Sequence, residues 1–462
     1  MLIEILDPVH SRIVPKSEQE LILPCLCFYK YNWTQGQYGK EKTLGKGCVI
    51  QVNAKYIPTG LVPRIAAYCK EVGISLSVQN SLEYLEPERP PNLPGIKLRE
   101  DQSRIVQSVI EDQRGIISSA TGTGKTVLAG AICSVWPSKR VVFLCHTLDL
   151  LQQATRRFKE QFKFDNVVSM GGGQDITFNW PKKPTIVVAT VQTYKLLDYI
   201  SHSEWADIII LDEAHHLSHR RGMFANVLDG TQAPVRIGLT ATPPKEGREL
   251  LVIEGWLGPI IGEFTYSEGV EAGILAKPLI DLIAVPWSDS IGDLSRYKDI
   301  YRKGIVENRV RNRLIIEEAS KSIAKGHSVL ILTADETDHG KRLQAMAEDV
   351  FDLDIPFVYG KVNKKIRQQL QDDLDAKKLL AVIANKVWVE GMDVPSLNHV
   401  INATGGLRER RTLQILGRGS RAIAGKSTFK LTDFLDPYNF LARHTVARLI
   451  VYAEEGWLNY GI

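Results

Sequence analysis

Short apolar runs alternate along most of the chain with longer stretches in which apolar residues recur every three or four positions. The first set of runs is VVFLCH (141–146), TIVVAT (185–190), DIIILDEAH (207–215) and RIGLTAT (236–242). Around them, Val127, Leu128, Ala131, Ile132 and Val135 recur at helical spacing, as do Leu151, Ala154 and Phe158. Strands apolar on both faces, separated by amphipathic helices, predict a parallel sheet covered on each side. The alternation then repeats in SVLILTA (328–334), LLAVIAN (379–385), HVINAT (399–404) and FKLTDFLD (429–436), with helical stretches such as NRLIIEEASKSIAKG (312–326) between. The expected fold class is α/β: two parallel-sheet domains of similar size, joined within residues 277–290.

The segment EPERPPNLPG (86–95) breaks this rhythm. Its four prolines disfavour helix and limit strand, so it reads as a linker after a small N-terminal piece. The predicted division is 1–90, 91–284 and 285–462. A chain of 462 residues fits such a count, at about 150 residues per domain. A net charge of +4 permits a nucleic-acid partner without requiring one. All six cysteines precede residue 146 and none forms a CxxC pair, which argues against zinc or iron–sulfur ligation. Cys25 and Cys27, in LILPCLCFY, read as small buried hydrophobes. The start, MLIEILDPVH, lacks the basic and long apolar regions of a signal peptide. No apolar stretch approaches the ~18 residues of a membrane span, so a reducing cytoplasm is the expected location.

Residues 118–130, SSATGTGKTVLAG, sit where a strand pattern gives way to a helical one. There, successive backbone N–H groups of Thr121, Gly122, Thr123 and Gly124 can wrap around phosphate oxygens, with the glycines allowing close approach. Lys125 is placed to reach the β- and γ-phosphates and Thr126 to ligate Mg²⁺. Ser119 stands where the strict GxxxxGK[ST] pattern has glycine. Asp212 and Glu213 follow the run IIIL. An acid at that strand end can hold Mg²⁺, and the next can orient and deprotonate a water. His215, His216 and His219 lack a completing carboxylate or cysteine, so no further metal is expected. In LQILGRGSRA (413–422), Arg418 and Arg421 share a helical face and suit charge on a transferring phosphoryl group. A solvated basic helix is the alternative, since RERR (408–411) precedes them.

Together these segments resemble superfamily 2 of the helicases and translocases, over about residues 96–436. LREDQ (98–102) resembles the adenine-reading motif, with Arg99 and Gln102 as contacts. SATGTGKT resembles motif I, CHTLDLLQQ (145–153) motif Ia, DEAH (212–215) motif II and TATPP (240–244) motif III. VEGMDVP (389–395) resembles motif V and QILGRGSR (414–421) motif VI. The resemblance implies two tandem RecA-like domains, ATP and Mg²⁺ as cofactors, and an ATP hydrolase that moves on nucleic acid. It places Gly391 and Asp393 beside ATP, adds Gln414 to Arg418 and Arg421 as a catalytic residue, and turns Thr147, Thr190, Gln192 and Thr193 toward the nucleic-acid backbone. Motif details resemble the XPB, RecG and phage UvsW types, which act on double-stranded DNA. That likeness implies a small α+β N-terminal domain, forked or Holliday-junction DNA as partner, and branch migration. A monomer is the default, in the host cytoplasm if the chain is phage-encoded.

Residues 28–46 mix Phe28, Tyr29, Tyr31, Trp33 and Tyr38 with Lys30, Lys40, Lys42 and Lys46. Lysines on phosphates beside rings on exposed bases suit a junction, with Trp33 and Lys40 as candidates. A hairpin with inward-packed aromatics has the same pattern. Arg309, Arg311 and Arg313 alternate and read either as phosphate contacts or as a solvated face. An RNA helicase, or a DNA-binding subunit switched by ATP within a larger assembly, are the competing readings.

Overall fold

The computed structural model describes residues 1–36, 39–50, 54–172, 180–196, 204–218, 222–333, 337–385, 394, 396–406 and 426–458, with side chains described outside 30–45 and 364. Residues 1–119 and 124–264 form one compact unit; residues 120–123 and 265–462 form another.

The first unit is built on seven parallel strands in the order Ile260–Phe264, Arg114–Ser119, Val235–Thr240, Ile208–Asp212, Val141–Cys145, Ile186–Thr190 and Val167–Met170. Val141–Cys145, Ile186–Thr190 and Val235–Thr240 are buried at every position, which is why they read as unbroken apolar runs. Val142, Leu144, Val187, Ala189, Ile209 and Leu211 share one core cluster. Each large aliphatic side chain so buried contributes about 1.5–3 kcal/mol. The strands absent from the sequence reading, Ile260–Phe264 and Val167–Met170, are the two sheet edges. There, one side of the strand is unpaired and the apolar pattern is diluted.

The N-terminal sheet has the order Ile57–Pro58, His10–Val14, Leu2–Ile5 and Ser77–Asn80, with only the last pair parallel. It belongs to the same compact unit. Its core of Ile3, Ile22, Leu61 and Ile65 is completed by Leu251 and Val252 from the helix Gly247–Leu257. Arg64 donates to Glu254 of that helix at 2.8 Å. A Cβ on Gly60 would stand 2.0 Å from the Glu254 carbonyl, so only glycine permits this approach. The proline-rich stretch is likewise tied down. The backbone N–H groups of Glu88 and Arg89 donate to the Val135 carbonyl, and the Trp136 indole donates to the carbonyls of Leu85 and Glu86.

Cys27–Gly36 and Gly39–Cys48 pair as an antiparallel hairpin, with Cys27 directly opposite Cys48. A disulfide joins them, which corrects the reading of Cys27 as a small buried hydrophobe. The register of two strands, invisible in a count of nearby cysteines, brings this pair together. Cys25 is half-buried, while Cys69, Cys133 and Cys145 are buried thiols.

The second unit holds six parallel strands in the order Lys277–Ala284, Thr428–Leu435, His399–Asn402, Val329–Leu332, Ala381–Ala384 and Phe357–Val358. Lys277–Ala284 lies within the stretch expected to join the domains, yet it pairs along its whole length with Thr428–Leu435. As an edge strand it is only partly buried, so its sequence looks unlike the central runs.

Arg311 corrects the reading of the alternating arginines. It lies on the helix Arg309–Ile323, where residues two apart do not share a face, and its side chain is fully buried. It pairs with Asp436 at 2.7 Å and donates to the Ala403 carbonyl at 2.9 Å. Tyr301 donates to the Thr404 carbonyl at 2.7 Å, and the His444 ring meets the Gly405 carbonyl at 3.3 Å. Arg448 donates to the Gly406 carbonyl at 3.0 Å and pairs with buried Asp433 at 2.7 Å. Four consecutive carbonyls are thereby held. Among the described residues, no helix is long and apolar enough to cross a membrane.

Candidate functional site

All seven strands of the first sheet run the same way, so their carboxyl ends lie along one edge. The registers align Ser118 with Thr240, Leu239 with Asp212, Leu211 with Leu144, and Cys145 with Thr190. Every segment that follows these strands therefore emerges on that edge, the usual ligand-binding side of a parallel sheet.

The segment after Ser119 leads into the helix Lys125–Val135. Gly122 and Gly124 have φ of 90° and 103°, a region that disfavours side chains. The Thr123 hydroxyl donates to the Ala120 carbonyl at 2.6 Å. Lys125 donates to the Ser119 carbonyl at 3.3 Å and is half-buried. Gln102 is buried against the loop, where its amide nitrogen would stand 2.9 Å from a Cβ on Gly124. It also accepts from the Arg99 backbone N–H at 3.2 Å, while Arg99 makes a two-pronged pair with Asp101 at 2.9 and 2.8 Å. The resemblance marks Arg99 and Gln102 as an adenine-reading pair; here both sit at one helix start, where the Gln102 side chain accepts the Arg99 backbone N–H.

Asp212 ends its strand, and Glu213 follows with φ of 52°, a left-handed conformation uncommon for glutamate. Burial, reinforced by Glu213, pushes the Asp212 carboxyl up to about 6, against the opposing pull of Lys125 and His146. A carboxylate held in this state has a strong electrostatic demand for a cation. With the positive helix start bearing Lys125 and Thr126, the donor set suits a phosphate anion bound with a divalent metal. Thr126 and Asp212 would hold that metal. His215 meets Glu213 at 3.3 Å and the buried Thr240 hydroxyl at 3.1 Å, linking the acids to the next strand end. No group of three or more metal-ligating residues occurs among the described residues.

Farther along the same edge, Thr147 and Thr190 cap the helices Leu148–Arg156 and Val191–Lys195. Their hydroxyls accept from the Leu150 and Thr193 backbone N–H groups, each at 3.3 Å. Gln192 donates to the His146 carbonyl at 3.1 Å, and the hydroxyls of Thr190 and Thr193 are bonded at 3.0 Å. Thr147, Thr190, Gln192 and Thr193 thus come together on two adjacent strand ends. Thr121 is half-buried. Trp33 and Lys40 sit on the hairpin opposite Lys42 and Gln35. Gly391, Asp393, Gln414, Arg418 and Arg421 lie outside the described residues. The sequence reading passed over His146, whose neighbours become visible only once strand order is known.

A glycine-turned loop opening a helix, paired acids two strands away and a second parallel sheet are the architecture of tandem RecA-like domains. The family model for the "Type III restriction enzyme, res subunit" matches residues 95–245, and that for the "Helicase conserved C-terminal domain" matches 311–423. The putative DNA 3'-5' helicase Rad25 of Haloarcula marismortui is 26% identical over 339 residues, covering 71% of this chain and 51% of the relative. The DNA 3'-5' translocase XPB2 of Sulfurisphaera tokodaii is 26% identical over 387 residues, covering 76% and 83%. The chain thus spans about half the length of the Haloarcula relative. Among solved structures, the DNA-bound Type ISP restriction-modification enzyme LlaBIII has a TM-score of 0.59 at 16% identity, over 85% of this chain and 32% of that one. The Pyrococcus furiosus Hef helicase domain has a TM-score of 0.52 at 15% identity, over 76% and 100%. Both speak for the fold alone. The chain belongs to superfamily 2 of the helicases.

Proposed function

We propose that the protein is an ATP hydrolase coupled to translocation on duplex DNA, working on forks and four-way junctions to drive branch migration. The carrying observation is the shared sheet edge. The phosphate loop, Asp212 and Glu213, and the capped ends at Thr147 and Thr190 all emerge from neighbouring parallel strands. Work done at the nucleotide is then adjacent to a polar surface of the kind that receives a phosphate backbone.

ATP with Mg²⁺ supplies the phosphoryl group and its charge-neutralising metal. The loop N–H groups and Lys125 would bind the phosphates, and Thr126 and Asp212 would hold the metal. In this reading Glu213 takes a proton from the attacking water at its carboxylate, which lies 3.3 Å from the His215 ring. Gly391, Asp393, Gln414, Arg418 and Arg421 supply the remaining contacts in this reading, the arginines stabilising charge on the transferring group. Arg99 and Gln102 select the adenine. Trp33 and Lys40 of the hairpin meet DNA at the branch.

Energetics favours branch migration over plain unwinding. Separating strands costs about 1.4 kcal/mol of stacking per base-pair step. Branch migration breaks one pair as it forms another, so the net cost is near zero and hydrolysis sets direction. The names of the relatives, a DNA translocase and a putative DNA helicase, support DNA as the track.

The test is Mg²⁺-dependent ATP hydrolysis with single-stranded, duplex, forked and four-way-junction DNA and with structured RNA, product strands being resolved on a native gel. Stimulation by branched DNA with conversion of the junction into its duplex products is expected. Glu213→Gln should stop turnover and hold the ATP-bound protein on DNA. Stimulation by RNA alone would overturn the proposal.

A further inference from the structure

Three histidine rings form a continuous series of tilted contacts just past the ends of Val141–Cys145 and Ile208–Asp212. The His146 and His216 ring centres are 4.3 Å apart, and those of His216 and His215 are 4.4 Å apart. Phe224 lies parallel to His216 on a third side, at 6.4 Å and 9°. At one end, His146 immediately precedes Thr147, and its carbonyl receives the Gln192 side chain at 3.1 Å. At the other end, His215 contacts Glu213 and Thr240. The His216 backbone N–H also donates to the Glu213 carbonyl at 3.0 Å. Glu213 is therefore held in its strained left-handed conformation partly by the residue whose ring leans on His146.

We infer that His146 and His216 are positioning residues that couple the proposed DNA contacts to the hydrolytic acid. A shift of the Thr147–Gln192 edge on DNA moves the His146 backbone. Its ring displaces His216, and the backbone hydrogen bond from the His216 N–H to the Glu213 carbonyl carries the shift to the Glu213 backbone, and with it the carboxylate. The element with two arrangements is the turn Asp212–His216, because a non-glycine residue in a left-handed well has a nearby relaxed alternative. The inference rests on the functional reading above and deepens it: it names the route by which DNA raises hydrolysis. Neither ring touches nucleotide or DNA in this scheme. Their loss should therefore spare both binding events.

The experiment compares wild type, His146→Leu, His216→Leu, the double variant and His146→Phe. Each is measured for ATP turnover without DNA, for turnover at saturating duplex DNA, and for DNA affinity by fluorescence anisotropy. Leucine at either position should lower DNA-stimulated kcat by about tenfold, within the usual span of site-to-site coupling, and should change DNA affinity by less than about twofold; in His216→Leu the KM for ATP and DNA-free turnover should also change by less than about twofold. The double variant should be no worse than either single one, since one break interrupts the whole series of contacts. His146→Phe, which keeps an aromatic ring, should recover most of the stimulation. Full stimulation in both leucine variants would overturn the inference. So would a parallel fall in the DNA-free turnover of His216→Leu, which marks a merely structural role, or additive losses in the double variant. Wild-type protein that hydrolyses ATP without any response to DNA would refute the coupled-motor reading itself, an outcome distinct from failure of the variants.

Discussion

Asn in place of Asp212 should make the nucleotide-free first unit more stable while ending ATP turnover. Burial and the neighbouring Glu213 lift this carboxyl from 3.8 to about 6. The folded state therefore binds the proton more tightly than the unfolded chain. For a carboxyl with a raised folded pKa, the stabilising contribution is complete below 3.8 and is lost as pH climbs through about 6. The full loss corresponds to about 3 kcal/mol at neutral pH, an upper bound given the solvent that reaches the site. Asparagine is nearly the same shape and carries no charge to bury. The stability difference between variant and wild type should then be close to zero at pH 3.5 and should grow to between about 1 and 3 kcal/mol at pH 7.5. Urea unfolding without nucleotide or Mg²⁺ gives the difference, followed by the fluorescence of Trp136 and Trp205 in that unit's core, with other tryptophans replaced. Mg²⁺ with a non-hydrolysable ATP analogue should stabilise wild type and leave the variant behind, reversing the order. A variant no more stable than wild type at pH 7.5, or equally favoured at both pH values, would refute charge burial as the cause.

Two further outcomes concern the second unit. Arg311→Met leaves Asp436 ionised in a fully buried site, and should destabilise that unit by about 3–5 kcal/mol in urea unfolding; Arg309→Met on the same helix should stay within about 0.5 kcal/mol. Burial holds His339 and His399 near 3, against 6.5 for an ordinary histidine, so the unfolded chain gains protons first as pH falls and stability drops from pH 6.5 downward. At pH 5 the two together should cost about 4 kcal/mol, checked by unfolding across pH 5–7.5, and His399→Gln should flatten the profile.

The central strands were legible because burial on both faces leaves a run of apolar residues that no other local state explains. Val141–Cys145 and Ile208–Asp212 are of this kind. The edge strands Ile260–Phe264 and Lys277–Ala284 were not, because a half-exposed strand mixes polar and apolar positions much as a loop does. Lys125, Asp212 and Glu213 could be placed from their neighbours in sequence, since Asp212 ends its strand, Glu213 follows it, and Lys125 opens the helix after the glycine-turned loop. His146 and His216 could not. Their contact depends on Val141–Cys145 lying beside Ile208–Asp212, a fact of strand order. Arg311 misled for a related reason: spacing shows which helix face a residue occupies, but not that an aspartate 125 positions later waits beneath it.

The grip on residues 403–406 has a mechanical meaning. Their four carbonyls are held by side chains from three separate helices, those containing Tyr301, Arg311 and the pair His444 and Arg448. A tug along the chain at this point loads those attachments side by side, as rivets in a lap joint share a pull, and does not open them one after another like a zipper. Two of the rivets, Arg311 and Arg448, are themselves bolted to buried carboxylates. Strain arriving from the segment beyond Gly406 is therefore passed to the whole sheet as a rigid mounting.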